Sequence, residues 1–141
     1  MPTSYDKFQP ERLTVKEFDH WLVTVRTRQV TLGAVVFLLK RTEPSLAGLE
    51  PSEASELPQV AKWFEDAASR LFGAEKFNYI AAMMKDPLVH FHALPRYSQE
   101  KMFGGRGWTD KFWPKVATLE DVLTTDEELD ALVEAYRGEK H

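Results

Sequence analysis

A chain of 141 residues with net charge −4, 43% hydrophobic and 12% aromatic, is sized for one domain with its own core, and this composition excludes a disordered segment. The negative balance offers no footprint for double-stranded nucleic acid, and the lack of cysteine excludes disulfides, thiolate metal sites and cysteine nucleophiles. No apolar run approaches a membrane span, and the start MPTSYDKFQPERL lacks the basic-then-apolar pattern of a signal peptide, so a cytoplasmic location is expected.

Trp21 to Arg26 alternates and is rich in β-branched and aromatic residues, which predicts a strand. TRQVTLG follows as a hairpin connection, with Gly33 free to take a positive φ, and Ala34 to Lys40 reads as a buried central strand. RTEPSLAGLEPSEASE is predicted as a loop with short helical turns. A helical stripe of Val60, Phe64, Ala67 and Leu71, with Trp63 beside it, predicts a helix. Pro58 fits the first turn, which places the helix start close to Ser55, and Gly73 serves as a positive-φ cap at the other end. KFNYIAAMM and LVHFHALPRY are two further strands, joined tightly through KDP and therefore antiparallel. The segment EKMFGGRGWTDKFWPK is predicted as a Gly- and aromatic-rich loop. Thr125 and Glu128 form a capping box for a last helix with Leu129, Leu132, Val133 and Tyr136 along one stripe. The class is α+β: an antiparallel sheet with a central helix and a C-terminal helix packed on it.

The chemistry concentrates in DPLVHFHALPRY, residues 86–97. Alternation puts Leu88, His90, His92 and Leu94 on one face, with Val89, Phe91 and Ala93 on the other. Side chains two residues apart on one face stand about 6–7 Å apart at the backbone, so two rings can converge on one ligand. Arg96 continues the same face. The pair alone leaves several readings open. One imidazole can attack phosphorus while its neighbour donates to the developing oxyanion or leaving group. His-x-His on a strand can hold zinc or copper, although neither His20 nor His141 has a spacing that supplies a third ligand. Two half-exposed histidines on a polar sheet face need no function at all. Lys40, Arg41, Lys85, Arg96 and Arg106 are the cations placed near a bound anion, and each is elsewhere an ordinary surface residue. Trp21 and Phe18 suit the core better than a base pocket.

LVHFHALPRY resembles the signature strand of the histidine triad (HIT) superfamily, His-φ-His-φ-His-φ-φ followed by Pro-Arg. HWLVTVRTRQVTLGAVVFLLKR is similar to that family's first hairpin, and LAGLEPSEASELPQVAKWFEDAASRLFGAEKFNY to its loop, central helix and next strand, so the resemblance covers about residues 15–97. It implies a HIT-like domain spanning 1–141, with residues 98–141 as a C-terminal latch that shapes substrate choice. It implies His90 as the nucleophile that forms a nucleotidyl-histidine and His92 as support for the phosphate and leaving group. Lys40, Lys85, Arg96 and Arg106 would contact nucleotide or phosphate. The implied substrates are dinucleoside polyphosphates, nucleoside phosphoramidates or adenylylated compounds. A homodimer is implied, and no cofactor or metal.

The chain departs from the pattern at several positions. Leu88 stands at the first histidine, leaving a dyad, while Ala34 and Thr42 replace histidines of the first hairpin. The Gly-rich phosphate loop is reduced to Lys85-Asp86-Pro87. Asn78 matches a family asparagine, but the phosphate-contacting one falls among Ala82, Met83 and Met84, and the ribose-binding acid falls near Arg26. A catalytically silent nucleotide- or phosphate-binding module is therefore the alternative reading.

Overall fold

The structure, a computed structural model, describes residues 5–84, 86–120 and 122–139. A 3-10 turn (Asp6–Phe8) and helix α1 (Pro10–Leu13) precede strands β1 (Thr14–Glu17), β2 (Trp21–Val25) and β3 (Val35–Leu39). Helix α2 (Pro51–Phe72), strands β4 (Lys76–Ile80) and β5 (His90–Arg96), a hairpin of β6 (Lys101–Phe103) and β7 (Arg106–Trp108), and helix α3 (Asp126–Arg137) follow. Five strands form one antiparallel sheet in the order β1-β2-β3-β5-β4. This is the α+β arrangement expected from the sequence.

The sheet is covered on both faces, which is why β2 and β3 read as nearly continuous apolar runs. Val23, Val35, Phe37, Val89 and Ala93 meet Val60, Trp63, Phe64, Ala67 and Phe72 of α2 in the main core. Each large apolar side chain sealed there contributes roughly 1.5–3 kcal/mol. The other face carries two smaller clusters. Leu22, Leu38 and Leu88 sit under Tyr5 and Phe8, while Val30, Ala34, Leu94 and Ala117 sit beside Phe112 and Leu119.

Local signals hold at the helix ends. Thr125 Oγ1 accepts from the Glu128 amide at 3.1 Å, and Glu128 Oε1 accepts from the Thr125 amide at 2.9 Å. Gly73 takes φ 73° at the end of α2. Gly33 takes φ 85°, and a Cβ built on it would lie 2.8 Å from Tyr136 Oη, so only glycine fits.

Three expectations are corrected. Helix α2 starts at Pro51, one turn before Ser55, because the Glu50 amide donates to Glu53 Oε1 at 2.7 Å and Pro51 suits the first position. Pro58 lies inside the helix, at a cost of about 3 kcal/mol that the buried face outweighs. Strand β4 ends at Ile80, not Met84: Ile80 is the last residue in register with β5, opposite His92, and the link runs through residues 81–89. The pair is antiparallel without a tight turn. The Gly-rich segment is no plain loop, since Gly104 and Gly105, both at positive φ, turn the β6–β7 hairpin, and Trp108 plugs the core.

The first and last helices are tied together. Arg12 bonds Asp130 at 3.1 Å, and Arg137 donates to the Thr14 carbonyl at 2.9 and 3.1 Å and to the Arg12 carbonyl at 3.3 Å.

Candidate functional site: the paired histidines

Register places both rings on the face opposite α2. His90 stands beside Leu38 of β3, and His92 beside Val36, which is itself opposite Thr24 of β2. The rings face each other edge to face, with centroids 5.2 Å apart and an 80° interplanar angle. They therefore share one surface, as their spacing predicted.

Their ring nitrogens have different partners. His90 Nδ1 lies 2.9 Å from the Leu88 carbonyl oxygen. A carbonyl only accepts, so this nitrogen carries the proton, and the neutral ring keeps its lone pair on Nε2. His92 Nδ1 accepts from Arg26 Nε at 3.3 Å, so the neutral His92 ring carries its proton on Nε2. One neutral ring is left with a free lone pair on Nε2 and its neighbour with an N–H there. The backbone of Leu88 orients His90 although its side chain is no imidazole.

Arg26 is itself firmly placed. Gln29 is fully buried inside the β2–β3 connection, donates to the Arg26 and Ala34 carbonyls and accepts from the Gly33 and Ala34 amides. Arg26 also donates to the carbonyls of Arg28 and Glu120. Burial lowers the His92 pKa to about 3, reinforced by the positive charge of Arg26, by His90 and by Lys7, with Asp86 opposing. His92 is thus uncharged at neutral pH.

A cavity of about 520 Å³ opens beside His92, lined by Lys7, Phe8, Val25, Arg26, Thr27, Arg28, Val36, Asp86 and Leu119. Lys7 and Asp86 pair at 2.7 Å. The Phe8 ring packs at 5.4 Å from His90, which is only 3% exposed. A larger hollow of about 690 Å³ lies beside α1 and β1 and contains no histidine.

The expected cations are dispersed. Arg96 is buried and bonded to Asp110 at 2.6 and 3.1 Å, to Asn78 at 2.5 Å and to the Lys115 carbonyl at 2.6 Å, so it holds the segment after β7. Arg106 stacks at 4.0 Å over Trp108 and bonds Glu128 at 3.0 Å. Lys40 pairs with Glu17 at 2.5 Å, next to the outer strand β1, and Arg41 is held by Glu53 at 2.8 Å. None of these four lines the cavity beside His92. Lys85 and His141 lie outside the described residues. Trp21 is core, its indole donating to the Glu53 carbonyl at 2.9 Å. Among the described residues, no group of three or more His, Asp or Glu gathers to hold a metal ion. None of their helices is long and apolar enough to cross a membrane.

Arg26, Lys7, Phe8 and Asp86 were not among the site residues expected from sequence. Two of them carried a signal: Arg26 continues the parity of Leu22 and Thr24, on the face that hairpin register connects to His92, and Asp86 stands where the resemblance puts the phosphate loop.

No family model matches the chain, and no curated protein matches it in sequence. Solved structures do match it in shape. The C. elegans NitFhit protein is 22% identical over 92% of this chain with a TM-score of 0.68, and the chain spans 27% of NitFhit's length. A hypothetical histidine triad nucleotide-binding protein from Sulfolobus tokodaii is 15% identical over 96% of this chain and 89% of its own, with a TM-score of 0.73. A Hit-like protein involved in cell-cycle regulation from Bartonella henselae is 14% identical over 96% and 92%, with a TM-score of 0.68. With its five-stranded sheet, covering helices and strand-borne histidine pair, this chain has the HIT-like fold.

Proposed function

We propose that the chain is a single HIT-like domain that binds a nucleotide or related phosphate compound and cleaves it through a covalent histidine intermediate. The observation that carries this reading is the complementary pair of Nδ1 partners on two rings 5.2 Å apart, which leaves a lone pair on His90 Nε2 and an N–H on His92 Nε2. The Nε2 lone pair attacks phosphorus while the bond to the leaving oxygen breaks and its electron pair departs with that oxygen. His90 becomes a cationic phospho-imidazolium whose Nδ1–H stays on the Leu88 carbonyl. Water then attacks the same phosphorus, the P–N bond breaks, its electrons return to Nε2, and the proton of water passes to solvent. Positioning and hydrogen bonding by His92 contribute through the transition state.

Dinucleoside polyphosphates and nucleoside phosphoramidates are the substrates to assay. With diadenosine polyphosphate, wild type turns over and His90→Ala does not; equal turnover by both removes His90 from the mechanism.

One observation favours a silent binding module: Phe8 covers His90. That reading gives a thermal shift with a nucleoside monophosphate but no turnover of any substrate.

The chain would act as a cytoplasmic homodimer, without nucleic-acid or membrane partners. Support for pairing comes from β4, an edge strand whose Tyr79 is 40% exposed. Beside it an apolar hollow of about 220 Å³ is lined by Phe37, Leu57, Pro58, Ala61, Tyr79 and Phe91. Light scattering that gives the mass of one chain would exclude the homodimer.

A further inference from the structure

We propose that Arg26 is a positioning residue: by donating from Nε to His92 Nδ1 it fixes that ring as an uncharged Nε2–H donor, so the site expels leaving groups that depart as anions. The inference rests on the phosphorus-cleaving reading above for its second half only.

The lock follows from geometry. A guanidinium is always protonated and only donates, so whatever lone pair it faces must stay unprotonated. The Nε–H of Arg26 faces His92 Nδ1 at 3.3 Å. Protonating that nitrogen would set two N–H groups against each other and a cation against a cation. Nor can the arginine easily swing away. Its Nη1 is engaged by the Arg28 and Glu120 carbonyls, and the loop beneath it is pinned by the buried Gln29 side chain. Among the described residues, the charged or titratable groups around His92 are Arg26 from the end of β2, Arg28 two residues on in the cavity lining, His90 on its own strand, Lys7 from the first turn and Asp86 from the loop before β5. Only Asp86 would favour a charged ring, and it is already paired with Lys7 at 2.7 Å. The sum favours the neutral form, in the same direction as the depressed pKa.

The chemical consequence concerns the leaving group. An uncharged imidazole that surrendered its single N–H proton would become an imidazolide, so His92 stabilises charge by hydrogen bonding without transferring that proton. A phosphate leaving from an anhydride needs nothing more. The P–O bond breaks, the electron pair stays on the leaving oxygen, and the Nε2–H bonds to it. An amine leaving from a P–N bond must be protonated as it goes, and no proton is offered here. General acid assistance is typically worth ~10²–10⁴ in rate, so its absence discriminates by about that factor.

The test uses the full chain labelled with ¹⁵N, with His92→Gln assigning the ring signals. In wild type, His92 should show the Nε2–H tautomer and no titration between pH 5 and 8. In Arg26→Ala, its midpoint should rise by about one unit or more, with both tautomers populated. Arg26→Gln, which keeps a donor without charge, should retain the tautomer, and Arg26→Lys should keep the low midpoint but lose the single tautomer. A wild-type His92 that titrates near the ordinary histidine value, or an Arg26→Ala protein unchanged in both respects, overturns the proposal. Turnover supplies a second arm. Wild type should prefer diadenosine triphosphate over adenosine phosphoramidate by about 100-fold, and Arg26→Ala at pH 5.5 should compress that ratio about fourfold. Equal rates for the two substrates in wild type refute the leaving-group half. No turnover of either, with the ring signature intact, refutes the hydrolase reading and upholds the Arg26 lock.

Discussion

Arg96 and Asp110 form a two-bonded ion pair at 2.6 and 3.1 Å, with side chains 3% and 0% exposed. The carboxylate also accepts from the Tyr97 and Phe112 amides, so one buried charge organises the turn after β7. Replacing Asp110 by Ala strands the guanidinium without its partner. The expected cost is about 3–5 kcal/mol, read as a lower urea midpoint. A loss under 1 kcal/mol would mean that Asn78 and the Lys115 carbonyl suffice.

Phe8 seals His90 from one side, and the Lys7–Asp86 pair holds that turn in place. Phe8→Ala should raise the rate at which diethylpyrocarbonate modifies His90, followed by peptide mass, several-fold over wild type. Leu38 and Leu88, beside the same ring, stay put, so the fold should survive. An unchanged rate would show that reagent already reaches the ring by another path.

His92 gives a pH dependence of stability. Its folded pKa, about 3, lies below the ordinary value of roughly 6.5, so between these the unfolded chain binds a proton that the folded chain refuses. Stability contributed in this way is complete above the unfolded value and falls as the pH drops, by at most about 1.4 kcal/mol per unit. Carboxylates titrate in the same window, so the comparison is with His92→Gln. Between pH 7 and pH 5 wild type should lose about 2 kcal/mol more than the variant in urea unfolding. Parallel losses would mean that His92 accepts its proton in the folded state.

Gly33 is the tightest point of the β2–β3 connection: its carbonyl accepts from Tyr136 Oη at 2.6 Å, and its φ is positive. Gly33→Ala should cost more than the ~1 kcal/mol of conformational strain alone, because the new methyl displaces Tyr136 or Phe72. Thermal unfolding checks this, with Gly104→Ala, which meets no heavy atom within 4 Å, as the reference for strain alone.

What the sequence made legible were features decided by neighbours in the chain. The Thr125–Glu128 box, the Gly73 cap and the alternation of His90 and His92 all depend on residues a few positions apart. Partner choice across long separations was not legible. Arg26 reaches His92 over 66 positions, and Arg96 takes Asp110 over 14, which withdraws a cation that parity had assigned to the histidine surface. The start of α2 was missed for a related reason: the penalty of an interior proline is local, while the buried face that outweighs it is not.

The ties between Arg12 and α3, and between Arg137 and the Thr14 carbonyl, span 114 to 125 positions. They turn the polypeptide into a ring closed without a covalent bond. Such a closure forms only after the intervening chain has collapsed, so it belongs to the late side of the folding barrier. Loosening the clasp should therefore speed unfolding and leave the refolding rate almost untouched.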